Sequence, residues 1–180
     1  MMDEMRLTVM TGAPGSGKTT VLDHIGGGIR IVGEPAREII AEQRAAGGAA
    51  TSDQDPALFV DLLVRRSVEK YRAADDAGGP VVFDRGVPDC IAYALVLGVE
   101  SSPSLEASRR HRYDSDVLIL PPWEEIYSTD DERTMTFAET IPFHEALVEA
   151  YERTGYTLIE VPRGSAEERG AFARDVVTRR

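Results

Sequence analysis

Near the N-terminus the run Gly12, Ala13, Pro14, Gly15, Ser16, Gly17, Lys18, Thr19, Thr20 follows one residue after the stretch Arg6 to Met10. Gly12, Gly17, Lys18 and Thr19 fill the four fixed places of the pattern G-x-x-x-x-G-K-[ST]. Glycines let the backbone curl until successive N–H groups point inward at phosphate oxygens, and the helix that follows adds its positive N-terminal end to the same charge. A lysine in this place reaches the β and γ phosphates as a point charge, and the adjacent threonine hydroxyl joins a magnesium shell. Such a loop holds a nucleoside triphosphate. It also dictates its neighbours, since it needs a strand before it and a helix after it, and Val21-Leu-Asp-His-Ile25 supplies helix-compatible sequence. Only two lysines occur against 18 arginines. Retention of lysine at 18 fits a phosphate contact, although a general bias toward arginine yields the same count.

The chain has 180 residues and 42% hydrophobic content. That suffices for one domain with a sizeable core. The expectation is a single domain over 1–180, with a lid-like segment at about 122–142. A formal charge of −11 argues against a nucleic-acid partner, which requires a broad cationic surface. Arg109-Arg-His-Arg112 reads as a solvated helix end and Arg179-Arg180 as a terminus. Cys90 is the sole cysteine, so no internal disulfide is possible. No apolar stretch approaches bilayer length and the first residues lack the layout of a secretory leader, so a cytoplasmic protein without a membrane span is expected. His24, His111 and His144 lie far apart with no ligands at metal spacing. Magnesium arriving with the nucleotide is the metal to expect. Oligomeric state is not legible.

Five short apolar or β-branched runs read as strands: Leu7 to Thr11, Ile29 to Gly33, Val81 to Asp84, Val117 to Leu120 and Thr157 to Val161. Segments of helical length and spacing alternate with them: Ala36 to Ala46, Pro56 to Ala77, Pro88 to Leu97, Ile141 to Arg153 and Ala166 to Val177. This alternation predicts a three-layer α/β/α domain, a parallel sheet covered on both faces. Ligands in such sheets gather beyond the carboxyl ends of the strands. Three of those ends carry chemistry here: the phosphate loop, Gly33-Glu34-Pro35 and Asp84-Arg85-Gly86.

Asp84 closes an apolar run, the form of a Walker B aspartate that reaches magnesium directly or through water. Strands also end in Asp for ordinary turn chemistry. Glu34 is a candidate general base for an acceptor hydroxyl, against the alternative of a helix N-terminal glutamate with Pro35 in the first helical position. Arg85 either pairs with a carboxylate across the cleft or touches a phosphate. Beyond the fourth strand, the polar stretch Pro121 to Arg133 includes Trp123 and Tyr127, which line a pocket or anchor a loop. Arg133 is a candidate to place positive charge on the transferring phosphoryl group; the alternative is a surface arginine paired with Asp130 or Glu132.

The order of these motifs resembles the small AAA-like P-loop ATPases, which stand beside the ribosylnicotinamide kinase domain of NadR and other nucleoside-kinase-like proteins. The resemblance rests on the phosphate loop, Glu34-Pro-Ala-Arg-Glu-Ile-Ile40, Phe83-Asp-Arg-Gly-Val-Pro-Asp89, Pro121-Pro-Trp-Glu-Glu-Ile-Tyr127 with Asp130 and Glu132-Arg133, Tyr151-Glu-Arg-Thr-Gly-Tyr156, Glu160-Val-Pro162 and Glu168-Arg169. It implies a kinase-type P-loop fold with strand order 2-3-1-4-5. It also implies that Glu34, in a Glu-Pro pair similar to that of deoxynucleoside kinases, serves as base. One arginine, Arg133, stands where many nucleoside kinases present several, and no base-recognition motif stands out.

Together these features predict a magnesium-dependent phosphotransferase. ATP, or alternatively GTP, would donate to a small hydroxyl acceptor such as a nucleoside-like metabolite. Lys18, Glu34, Asp84 and Arg133 would be the catalytic set, residues 12–20 would bind the nucleotide, and Thr19 and Asp84 would hold Mg2+. The competing expectation is a nucleotide-gated binding or regulatory protein with weak NTPase activity.

Overall fold

The computed structural model describes residues 6–74, 79–127 and 135–179. Five strands, β1 (Arg6–Gly12), β2 (Arg30–Val32), β3 (Pro80–Asp84), β4 (Asp116–Leu120) and β5 (Thr157–Glu160), form one parallel sheet in the order β2-β3-β1-β4-β5. This is the order the resemblance implies. Seven helices accompany it among the described residues: α1 (Lys18–Ile25), α2 (Pro35–Ala46), α3 (Pro56–Ala74), α4 (Asp89–Leu97), α5 (Ser102–Arg110), α6 (Phe137–Arg153) and α7 (Ala166–Thr178).

Strand side chains alternate between faces, so each inner strand feeds two cores. Leu7, Val9, Val81, Phe83, Val117 and Ile119 point to one face, where they meet Ile91 of α4 and Phe143, Leu147 and Tyr151 of α6. Met10, Val82, Leu118 and Leu120 point to the other, against Val21, Leu22 and Ile25 of α1 and Ala173, Val176 and Val177 of α7. A third cluster is made by helices alone: Ala36 and Ile39 of α2, Phe59 and Leu63 of α3, and Cys90 and Ala94 of α4. Each large side chain fully buried this way contributes about 1.5–3 kcal/mol. Gly170 lets α7 approach α1 closely, because a Cβ there would lie 2.5 Å from the His24 carbonyl oxygen.

Two helices differ from the sequence expectation. The α6 helix begins at Phe137 rather than Ile141, because Thr136 and Glu139 form a reciprocal capping box that carries the helix through Pro142. The α5 helix is signalled by the sequence only at its end, Arg109 and Arg110, and not in its body. Its fully buried positions are Ser104 and Ser108, one turn apart, so the apolar stripe that betrays a helix is missing. The Ser108 hydroxyl donates back to the Ser104 carbonyl at 2.9 Å.

Register places the site. Met10 pairs with Asp84 and Gly12 with Leu120, so the segments leaving β1, β3 and β4 emerge side by side at the carboxyl edge. Val32 pairs with Phe83, which brings Glu34, two residues further on, to the same edge.

Candidate functional site

Gly17 caps α1 in the left-handed conformation (φ 83°), which only glycine adopts without strain. The turn is closed by Ser16 N–H donating to the Ala13 carbonyl at 3.2 Å and Val21 N–H to the Gly17 carbonyl at 3.1 Å. No acidic residue occupies the first turn of α1. Its positive end is therefore left for an external anion. Gly15 is fixed by crowding as well as conformation, because a Cβ there would collide with the Tyr127 ring. The Tyr127 hydroxyl in turn donates to the Met135 carbonyl.

The loop forms the floor of a cavity of about 710 Å³, within the usual range for small-molecule sites. One flank is the face of α2 from Glu34 through Arg37 and Ala41 to Arg44, with Arg85 and Tyr93. The other is Trp123 and Ile126, from a 3-10 turn region after β4, with Gly164, Ala166 and Arg169 around the start of α7.

Lys18, Glu34 and Asp84, drawn from three separate strand ends, converge. The Lys18 ammonium donates to Asp84 Oδ1 and to Glu34 Oε2, the latter at 3.4 Å. Glu34 is the N-cap residue of α2 and Pro35 does occupy the first turn, but the carboxylate makes no capping bond to that helix. It turns instead toward cations: Arg85 Nε at 2.8 Å, Arg37 Nε at 3.1 Å, and Lys18. Burial pushes the Glu34 carboxyl up, yet Lys18, Arg85 and Arg37 together outweigh it and hold the group well below the usual carboxylate range. Thr19 is exposed in the first helical turn and lines the cavity.

Asp89, the last residue of the Phe83-to-Asp89 motif, anchors this arrangement. Its Oδ1 accepts from Thr11 at 2.6 Å and from Arg85 Nη1 at 3.0 Å; its Oδ2 accepts from the Gly86 amide at 2.9 Å and the Tyr151 hydroxyl at 2.5 Å. Arg85 itself takes φ 73°, an uncommon conformation for a non-glycine residue that the surrounding bonds maintain. Burial alone would lower the Arg85 pKa, but Tyr93, Glu34, Asp89 and Asp84 raise it well above its ordinary value. The guanidinium is thus a permanently charged strut between Glu34 and Asp89.

Arg169 is the second residue whose place the sequence did not reveal. It is 4% exposed. Its Nη2 donates to the Ser16 carbonyl at 2.9 Å, and its carbon Cζ lies 5.4 Å from the centre of the Trp123 ring. Arg133 lies outside the described residues, as do Asp130 and Glu132.

The oxygen donors Thr19 and Asp84 suit Mg2+, a hard cation that is commonly held by one or two carboxylates together with substrate phosphates. Among the described residues there is no cluster of three or more His, Cys, Asp or Glu able to hold a metal unaided. No helix among them is long and apolar enough to cross a membrane.

The sequence matches the AAA-domain family profile over residues 7–169. The chain belongs to the AAA-domain family. No curated protein matches it in sequence. Among solved structures, this AAA-domain protein is similar to thymidylate kinase from Ehrlichia chaffeensis, with TM-score 0.62 and 15% identity over 97% of this chain and 98% of that one. It is similar to the NadR protein in complex with NR, with TM-score 0.73 and 16% identity over 96% of this chain and 50% of that one. The AAA-domain chain thus spans half the length of that NadR chain. A third likeness is to deoxyadenosine kinase from M. mycoides, with TM-score 0.68 and 13% identity over 94% and 97% of the two chains. At these identities the likeness is one of fold, the kinase-type P-loop NTPase architecture.

Proposed function

We propose that this protein transfers a phosphoryl group from a nucleoside triphosphate, ATP in the first instance, to a hydroxyl of a small acceptor. The observation that carries the reading is Glu34. A carboxylate with an 8% exposed side chain is held 3.4 Å from the phosphate-loop lysine, in the lining of the cavity whose floor is the phosphate loop. Buried carboxylates in such a place need a reason, since burial opposes their charge. A general base for a phosphoryl acceptor is one.

Lys18 and the loop amides would neutralise charge on the β and γ phosphates, and this stabilisation would grow as the transfer proceeds. Thr19 and Asp84 would hold Mg2+, which would supply further neutralisation of the phosphates. Arg85 fixes the Glu34 carboxylate through Nε, and Asp89 fixes Arg85. Glu34 is a weak base while three cations hold it. When phosphates take Lys18, one of those cations is drawn away, and the proton affinity of Glu34 rises. Arg133 is proposed to add positive charge over the transferring group. The two kinase structures of similar fold support phosphoryl transfer as the class of reaction, and the compartment is proposed to be the cytoplasm.

The opposing reading, a nucleotide-gated binding protein, draws on the low proton affinity of Glu34. A thermal-shift panel decides between them. With Mg·ATP or Mg·GTP at about a hundred times its dissociation constant, the wild-type protein should gain roughly 2.7 kcal/mol of stability. Lys18→Ala should lose about a hundredfold in nucleotide affinity. Candidate nucleosides should add a second stabilisation and yield labelled product from γ-labelled nucleotide. Stabilisation by nucleotide with no acceptor ever labelled would remove the transferase reading in favour of the binding one.

A further inference from the structure

Two helix N-termini and a buried guanidinium meet on one side of the phosphate loop. Arg169 stands in the first turn and a half of α7, at the fourth helical position, where a cation opposes the helix dipole. Its guanidinium also faces the N-terminal end of α1: a Cβ on Gly17 would lie 2.6 Å from Arg169 Nη1. Burial adds a third cost and lowers the pKa of the group from its ordinary value.

Among the described residues no counter-charge offsets these costs, and no carboxylate forms an ion pair with Arg169. The nearby acids are engaged elsewhere, Glu168 in the capping box with Ser165 and Glu167 beside His24. Nη2 has the Ser16 carbonyl, but Nε is buried with no partner, and so is the Ser16 hydroxyl. The Trp123 ring face supplies only a weak attraction. Lys18 and Arg85, the other buried cations of the cavity, each hold two carboxylates.

A buried, unpaired cation between two positive helix ends is half of an ion pair. We propose that Arg169 binds the polyphosphate of the donor nucleotide, as a second cation beside Lys18 supplied by α7. The inference rests on the nucleotide-site reading above and extends it to a residue 153 positions away from the loop it touches. Its capping box and the close seating of Gly170 on α1 keep Arg169 in place before any ligand arrives.

The test compares wild type, Arg169→Met and Arg169→Lys by calorimetric titration with Mg·ATP, sodium tripolyphosphate and adenosine, together with urea unfolding in the absence of ligand. Arg169→Met is expected to weaken ATP and tripolyphosphate about ten- to a hundredfold, to leave adenosine unchanged, and to unfold at a urea concentration equal to or above that of wild type. Arg169→Lys should recover part of the lost affinity, and the salt dependence of tripolyphosphate binding should be shallower in Arg169→Met than in wild type. Unchanged tripolyphosphate affinity in Arg169→Met, or a loss confined to adenosine, would overturn the inference while leaving the nucleotide site standing. A methionine variant that fails to fold would also overturn it, by showing that the guanidinium braces the apo loop. If wild type bound neither ATP nor tripolyphosphate, the nucleotide-site reading itself would fall.

Discussion

The two flanks of the phosphate loop are wired in opposite ways. On the α2 flank every buried charge has a counter-charge: Lys18 with Asp84 and Glu34, Arg85 with Glu34 and Asp89. On the α7 flank, among the described residues, Arg169 is buried without a carboxylate, and Nε and the Ser16 hydroxyl lack partners. The first flank is complete before any ligand binds. The second is completed by one. Closed pairing fixes geometry, which acid–base chemistry needs to within a fraction of an ångström; open valence gives affinity, which a polyphosphate site needs.

The largest effect that would sharpen this contrast is on turnover. Glu34→Gln keeps the shape of the α2 flank and removes its proton acceptor. Phosphoryl transfer should fall by about a thousandfold, with nucleotide affinity little changed. Full turnover on a true acceptor would show that the flank is scaffolding and not chemistry. Next comes Asp89→Asn, which puts an amide donor where one oxygen accepted two donors and leaves Glu34 as the one carboxylate ion-paired with Arg85. Urea unfolding should show a loss of about 3 kcal/mol, and an unchanged midpoint would mean that the α2 flank is not the rigid one.

The smallest effect is the response to acid. The carboxyl of Glu34 is depressed in the folded protein relative to its ordinary value of 4.5. Its contribution to stability is therefore fully present above that value and is lost as pH falls through the lower folded one. Between pH 5 and pH 3 the stability difference between wild type and Glu34→Gln should shift by about 1 to 2 kcal/mol in favour of the variant. A flat difference across that window would break the claim that Glu34 is held charged by its neighbours.

Much of this architecture was legible because its signals are local. The phosphate loop is one contiguous pattern, the strands are short apolar runs, and strand order followed from the resemblance. Glu34 and Asp84 were found because strand ends of parallel sheets are where ligands gather. What escaped detection is either non-local or unpatterned. Asp89 draws donors from β1, the β3–α4 turn and α6, a convergence no spacing announces. Arg169 looks like any helical arginine until α7 is docked on α1. The α5 helix hides because serine can fill a buried face without raising the hydrophobic signal.

Asp89 also limits how this protein can vary over evolutionary time. One carboxylate answers to Thr11, Arg85, Gly86 and Tyr151 at once, so its partners share a single acceptor. A change at any one of the side-chain donors alters what the others bind, and their substitution effects will not add. Positions 11, 85, 89 and 151 are thus expected to drift as a unit, with Tyr151 carrying that constraint into the far end of α6.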